Sequence, residues 1–354
     1  MKKTGVMSDD PYAKYRLSGS PDRSEAMVPS GGKAPGGKWY RCQISRERLK
    51  TLMQRSDAAG WRNFAPWLIL LAASGGLAAA SWGTWWAAPA FFLYGTLYTS
   101  SDAHWHECAH GTAFRTRWVN QVLYHLTSYM CLREATLWHW SHARHHAHTI
   151  MVGKDPEIQV PRPARLWPSI VDLFYLYSGY TECRKILLHA LGIVTPDAKT
   201  FVPESEVPKM IWTSRVYVVL TAGVCVWSAA IGSFLPVMFV VLPRFYGAWL
   251  HQICAMTQHA GLAESVFDHR LNTRTVYMNP VVQFLYANMN YHVEHHMFAM
   301  VPFHALPALH AEIKDQMPPA YPGLAAAYAE IIPTMIRQKR EPEYYVRRPL
   351  PDAA

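Results

Sequence analysis

The chain has 354 residues, half of them hydrophobic and 17% charged, with 14 Trp, 19 Tyr, 13 Phe and a net charge of +9. So few charges among so many aromatics exclude a disordered chain. Six cysteines with no C-x-x-C pair give no sign of a zinc knuckle, an iron–sulfur cluster or a disulfide framework.

Residues 1–37, rich in Gly, Pro, Ser and Lys and without an apolar period, read as a flexible N-terminal tail. No apolar run follows Lys2 and Lys3, so this is not a secretory signal. From Asn63 to Ser101 there are 39 residues without a charge. One membrane-spanning helix needs about 20 apolar residues, so this is the length of a tight helical hairpin turning between Ser81 and Pro89. A second apolar stretch, Val216 to Ala263, is broken by Arg244 and turns near Gly232 to Pro236. The expectation is an all-α integral membrane protein of four transmembrane helices in two hairpins, at about 63–81, 88–106, 212–231 and 235–256. These lie in a catalytic body over 38–312, with a C-terminal cytoplasmic extension over 313–354. Leu166 to Tyr180, aromatic but too short to cross, reads as a helix on the membrane surface. Pro243 should kink the fourth span, and Arg244 beside it, a charge at depth, is a functional hint.

Seven Lys/Arg lie between Lys38 and Arg62 and twelve between Arg115 and Arg215, and neither hairpin turn carries any. By the positive-inside rule both termini and the central segment face the cytoplasm. Topology thus accounts for the basic balance, and no nucleic-acid motif accompanies it.

Histidine is the outlier: 18 residues, nine of them from His104 to His148. His106 and His110, where the second span ends, are i and i+4 and share one helical face. Taken literally, His106-Glu107-Cys108-Ala109-His110 also fits the H-E-x-x-H pattern of zinc proteases, with Glu107 as base. His142, His145 and His146 form H-x-x-H-H, and His292, His295 and His296 repeat that spacing 150 residues later. His259 lies at the cytoplasmic end of the fourth span. Nine imidazoles are too many for one tetrahedral ion, which in a protease takes three protein ligands. They suit two ions of higher coordination, although imidazole alone does not choose between iron, copper and zinc. Glu107, Glu294, Asp155 and Glu157 are near enough in sequence to orient these rings, Glu107 and Glu294 foremost because they lie inside the boxes. Asn290 (like Asn288) precedes the third box and is placed to reach a metal through water.

The three boxes, His106-Glu-Cys-Ala-His110, His142-Ala-Arg-His145-His146 and Asn290-Tyr-His292-Val-Glu-His295-His296, resemble in order and spacing the membrane fatty acid desaturase and hydroxylase superfamily. The resemblance covers roughly residues 63 to 312. It implies a cytoplasmic helical cap holding two non-haem irons, ligated by the boxes, that activate O2 against an unactivated C–H bond. Gln258-His259-Ala-Gly261, Asp268 to Arg274 and the third box through Phe298 are most similar to a bacterial subgroup. It includes rhizopine-catabolism oxygenases, with terminal-alkene-forming fatty acid decarboxylases nearby. Fatty-acyl desaturation or hydroxylation is therefore expected, in the bacterial inner membrane. A small methylated compound or a free fatty acid is the alternative substrate, and a membrane zinc metalloprotease a remote one. No flavin, nicotinamide, iron–sulfur or haem motif is present, so a separate electron donor is expected, a ferredoxin with its reductase.

Overall fold

The computed structural model describes residues 38–351, so the tail expected over 1–37 lies outside the described residues. Among the described residues all regular structure is helical, apart from two isolated bridges, Thr275 to Tyr291 and Val276 to Tyr321.

Helix α1 (Arg46–Leu52) starts where Ser45 Oγ accepts from the Arg48 amide at 3.2 Å. α2 (Asp57–Ala80) starts where Ser56 Oγ accepts from the Ala59 amide at 3.3 Å, with Asp57 on its positive end. After a turn that leaves Trp85 and Trp86 exposed, α3 (Ala87–Thr99) bends at Ser100 into α4 (Ser101–Ala109). At that bend Ser100 Oγ donates to the Leu97 carbonyl at 2.7 Å. α5 (Arg117–Met130) and α6 (Ala135–Ala147) follow, then α7 (Leu166–Val171), α8 (Leu176–Ala190), α9 (Ala198–Phe201) and α10 (Val207–Ala230).

The fourth apolar stretch is built in pieces: α11 (Leu235–Val240), α12 (Pro243–Gly247) and α13 (Trp249–His259). The remainder comprises α14 (His269–Asn272), α15 (Pro280–Leu285), α16 (His292–Met297), α17 (Leu306–Ile313) and α18 (Leu324–Gln338).

Two helices, Asp57–Ala80 and Glu204–Ala230, are long and apolar enough to cross a membrane. The other two expected spans are not continuous helices. The second bends at Ser100, and the fourth breaks at Pro243, which has no N–H to give the preceding turn. α3 and α12 meet backbone to backbone: a Cβ on Gly247 would lie 2.0 Å from the Gly95 carbonyl carbon. Only two glycines allow that approach, the small-residue contact common where helices pack in membranes.

The segment expected as one surface helix is instead divided at Tyr175, which has φ +51. Its Trp167, Ile170, Phe174, Tyr177 and Tyr180 are exposed, while buried Asp172 accepts from the Ser178 amide at 2.8 Å. α5 presents a second exposed apolar stripe, Trp118, Val122 and Leu126, at i, i+4 and i+8, which the charge pattern did not announce.

Among the described residues beyond 313, those of α18 pack into the body. Ala327, Ile331 and Met335 of α18 share a core with Met256, Ala260 and Val276, and Tyr328 Oη donates to the Ile253 carbonyl at 2.8 Å.

Candidate metal centre

Three helices and one helix end supply the histidines. α4 ends with His106 and with His110 as its cap. α6 opens on Glu134, whose carboxylate accepts from the Thr136 and Leu137 amides at 3.0 and 2.6 Å, and carries His142, His145 and His146. α16, only six residues long, carries His292, His295 and His296. It is too short to persist alone. Two bonds between Asn290 and Val276 fix its approach, Asn290 Nδ2 to the Val276 carbonyl and the Val276 amide to the Asn290 carbonyl, both 3.0 Å. His259 ends α13; Gly261, at φ +78, then turns the chain so closely under α18 that a Cβ there would lie 2.7 Å from Thr334.

The nine candidate imidazoles converge as two adjoining groups, His106, His110, His142, His146 and His295 in one and His145, His259, His292 and His296 in the other. Within each group the facing atoms lie within 4.8 Å of one another. The two H-x-x-H-H boxes divide in opposite ways. α6 gives its first and last histidines to the five-membered group, whereas α16 gives that group only its middle one.

The Nε2 atoms lie 3.0 Å apart for His110 and His142, 3.1 Å for His142 and His146, 3.2 Å for His146 and His295, and 3.1 Å for His292 and His296. Two nitrogens about 2.1 Å from one ion, at right angles, lie about 3.0 Å apart, so the rings fit shared metal ions. Both ring nitrogens of His106 and the Nε2 of His259 are buried without hydrogen-bond partners. Such atoms are expensive to leave unmatched, and a metal ion satisfies them.

Carboxylates and backbone set the rings from behind. Asp155 accepts from His145 Nδ1 at 2.8 Å and from the Ile150 amide at 2.7 Å. Glu157 lies 3.3 Å from His142 Nδ1 and accepts from Ser141 Oγ at 2.8 Å. The Asn272 carbonyl accepts from His259 Nδ1 at 2.8 Å, and Thr149 Oγ1 is 3.1 Å from His296 Nδ1. Asn272 and Thr149 escaped the sequence reading, because backbone and hydroxyl partners leave no spacing signature. Beside Thr149, Ile150 sits at φ +53, a costly conformation for a β-branched residue, and the Asp155 bond helps to hold it.

Glu294, expected to orient a ring, does not. It points off the other side of α16, in contact with His310 Nδ1 and accepting from Thr275 Oγ1 at 2.5 Å. On a helix a residue one or two positions from the ligands faces away from them. Glu107 comes near, its Oε1 3.5 Å from His106 Nδ1, but neither atom is hydrogen-bonded, and its other oxygen accepts from the Phe303 amide at 3.1 Å. Burial pushes the Glu107 carboxyl up to about 7. Asn290 serves the backbone through its Nδ2. His104 turns to the opposite face, against Asn63 and Ser100.

Burial, reinforced by the neighbouring imidazoles, holds His142, His146, His292, His295 and His296 well below the usual histidine range. Their nitrogens therefore carry free lone pairs at neutral pH, the form that binds metals. For His145 burial works in the same direction, but Asp155 outweighs it and the ring is shifted upward.

One cavity reaches both groups, touching His106 and His142 of the first and His145, His259 and His292 of the second. Its wall also includes Asp102, Trp105, Arg133, His251, Arg162 and Glu264. A zinc-protease arrangement needs three ligands and an open position, whereas here His106 and His110 are joined by three further imidazoles.

Comparison with known proteins agrees with this geometry. The chain is similar to an sn-1 oleoyl-lipid 12-desaturase of Picosynechococcus sp., 24% identical over 271 residues that cover 71% of each protein. Residues 83–328, which contain all nine imidazoles, match the model of the fatty acid desaturases. The chain is thus an oxidoreductase of the fatty acid desaturase family.

Proposed function

We propose that this protein uses O2 to oxidise an unactivated aliphatic C–H bond at a centre of two non-haem irons, with the nine histidines as the ligands. The observation that carries the reading is the convergence of nine imidazoles, from four distant segments, into two adjoining groups. Bound iron supplies the activation of O2. The chain's own part is to fix the rings through Asp155, Glu157, Asn272 and Thr149, and to keep bulk water from a buried centre.

Fatty-acyl desaturation or hydroxylation is the reaction that family and relative support. A second reading, oxidation of a compact polar compound, draws on the polar residues Asp102, Arg133 and His251 in the cavity wall.

The proposed setting is the bacterial inner membrane, crossed four times, with the centre and both termini on the cytoplasmic side. Support comes from the Lys/Arg distribution, the two long apolar helices and the outward-facing aromatics of α7 and α8. Electrons come from a separate donor, a ferredoxin with its reductase, and the basic cytoplasmic face favours an acidic one.

The test is purified protein supplied with ferredoxin, reductase and 18O2, with metals counted and products weighed. Two irons per chain and O2 uptake are expected. Label in the product marks oxygenation, and an unlabelled product two hydrogens lighter marks desaturation. One zinc per chain, or no O2 uptake with any acyl or small substrate, overturns the reading.

A further inference from the structure

Where α4 and α13 meet, the cavity wall carries a group of charges that the metal ligands do not use. Asp102 accepts from Arg133 Nη2 at 3.0 Å and from Arg244 Nη2 at 2.5 Å, and His251 Nε2 lies 3.4 Å away. One carboxylate thus faces two guanidinium groups. Among the nearby acids, Glu182 accepts from Trp138 and pairs with Lys185, and Glu157 accepts from Ser141 and lies against His142. Both guanidinium groups keep buried N–H donors unmatched, which is expensive inside a protein.

Arg133 is the guanidinium that lines the cavity. Its guanidinium sits in the corner of two perpendicular indoles, 4.4 Å from the Trp105 ring centre and 3.9 Å from that of Trp138. Asp102 occupies the Nη2 end, and Nε is buried without a partner. Behind it Arg244, 2% exposed, leaves Nε and Nη1 unmatched as well. A planar fork with an open edge is the donor that a carboxylate fits best.

Trp105 also borders the imidazoles, its ring centre 5.5 Å from that of His142 and 6.3 Å from that of His106. Where the 157–162 segment meets 261–264, the same cavity is lined by a second charged pair, Arg162 and Glu264 at 3.0 Å. Between these charges the wall is apolar, with Ile150, Ile158, Val160, Ala255 and Leu262.

We propose that Arg133 anchors a carboxylate on the substrate, so that the protein oxidises a free carboxylate rather than a chain esterified to a lipid. This rests on the proposed chemistry at the imidazoles and adds to it the substrate class and a residue that determines it.

The test is calorimetric titration of the iron-loaded full-length protein in detergent, without reductant. The probes are straight-chain carboxylates from butanoate to dodecanoate, their methyl esters, and an oleoyl phosphatidylglycerol. The expected result is that the acids bind at least about tenfold more tightly than their esters, the worth of one charge-assisted hydrogen bond. That gap should vanish in Arg133→Gln and survive in part in Arg133→Lys. Equal binding of acid and ester, tighter binding of the lipid, no binding of any acid, or an unchanged gap in Arg133→Gln overturns the proposal. If Arg133→Gln does not fold, the acid-to-ester comparison on the unaltered protein decides alone. Because binding is read without turnover, failed O2 chemistry with an intact acid preference condemns the reaction, and the converse condemns the anchor.

Discussion

Asp155 and Glu157 hold two rings from behind, one in each group, without facing the centre. Removing such a partner loosens a ring rather than deleting a ligand. Asp155→Asn should therefore weaken iron binding about tenfold to hundredfold, read by competition with a chelator. Glu294→Gln should leave iron affinity unchanged and lower thermal stability, since Glu294 serves His310 and Thr275. Histidine spacing shows which imidazoles share a helical face, and all nine candidates do meet. It does not reveal how they divide, because the division of each H-x-x-H-H box depends on the angle at which its helix enters. Nor does closeness in sequence identify orienting groups: Asp155 reaches His145 from ten positions away across a loop, while Glu294, beside His295, looks outward.

At the scale of elements, the contact of Gly95 with Gly247 sets how α12 lies on α3, and so where α13 and His259 fall. Gly247→Val should cost at least about 1–3 kcal/mol by overpacking. Gly76→Val, where a Cβ meets nothing within 4 Å, is the control. Thermal melting in detergent distinguishes them. The apolar lengths of α2 and α10 were legible, since an uncharged run of that size has few other uses. The break at Pro243 was legible as a kink, because proline lacks the donor. The bend at Ser100 was not, for a serine donating back to its own helix looks like any other serine. The outward stripe of α5 hid because basic residues surround it in sequence.

For the whole molecule, metal ions held by the nine imidazoles would tie together segments from residue 106 to residue 296. A ligand that binds only the folded state stabilises it by about 4 kcal/mol at a thousandfold excess over its dissociation constant. Stripping iron with a chelator should lower the melting temperature by several degrees, and iron should restore it. If melting is indifferent to the chelator, the imidazoles hold no ion that matters to the fold.

The order in which the chain is made has a consequence of its own. Arg274 donates to the Ala260 carbonyl and pairs with Glu330 of α18, and Arg348 donates to the Thr273 carbonyl, so the segment around His259 is clasped by residues that follow it in the chain. A ribosome releases the first histidines long before these clasps exist. A nascent chain arrested ahead of Arg348 should therefore hold a metal ion less firmly than one that carries these clasps.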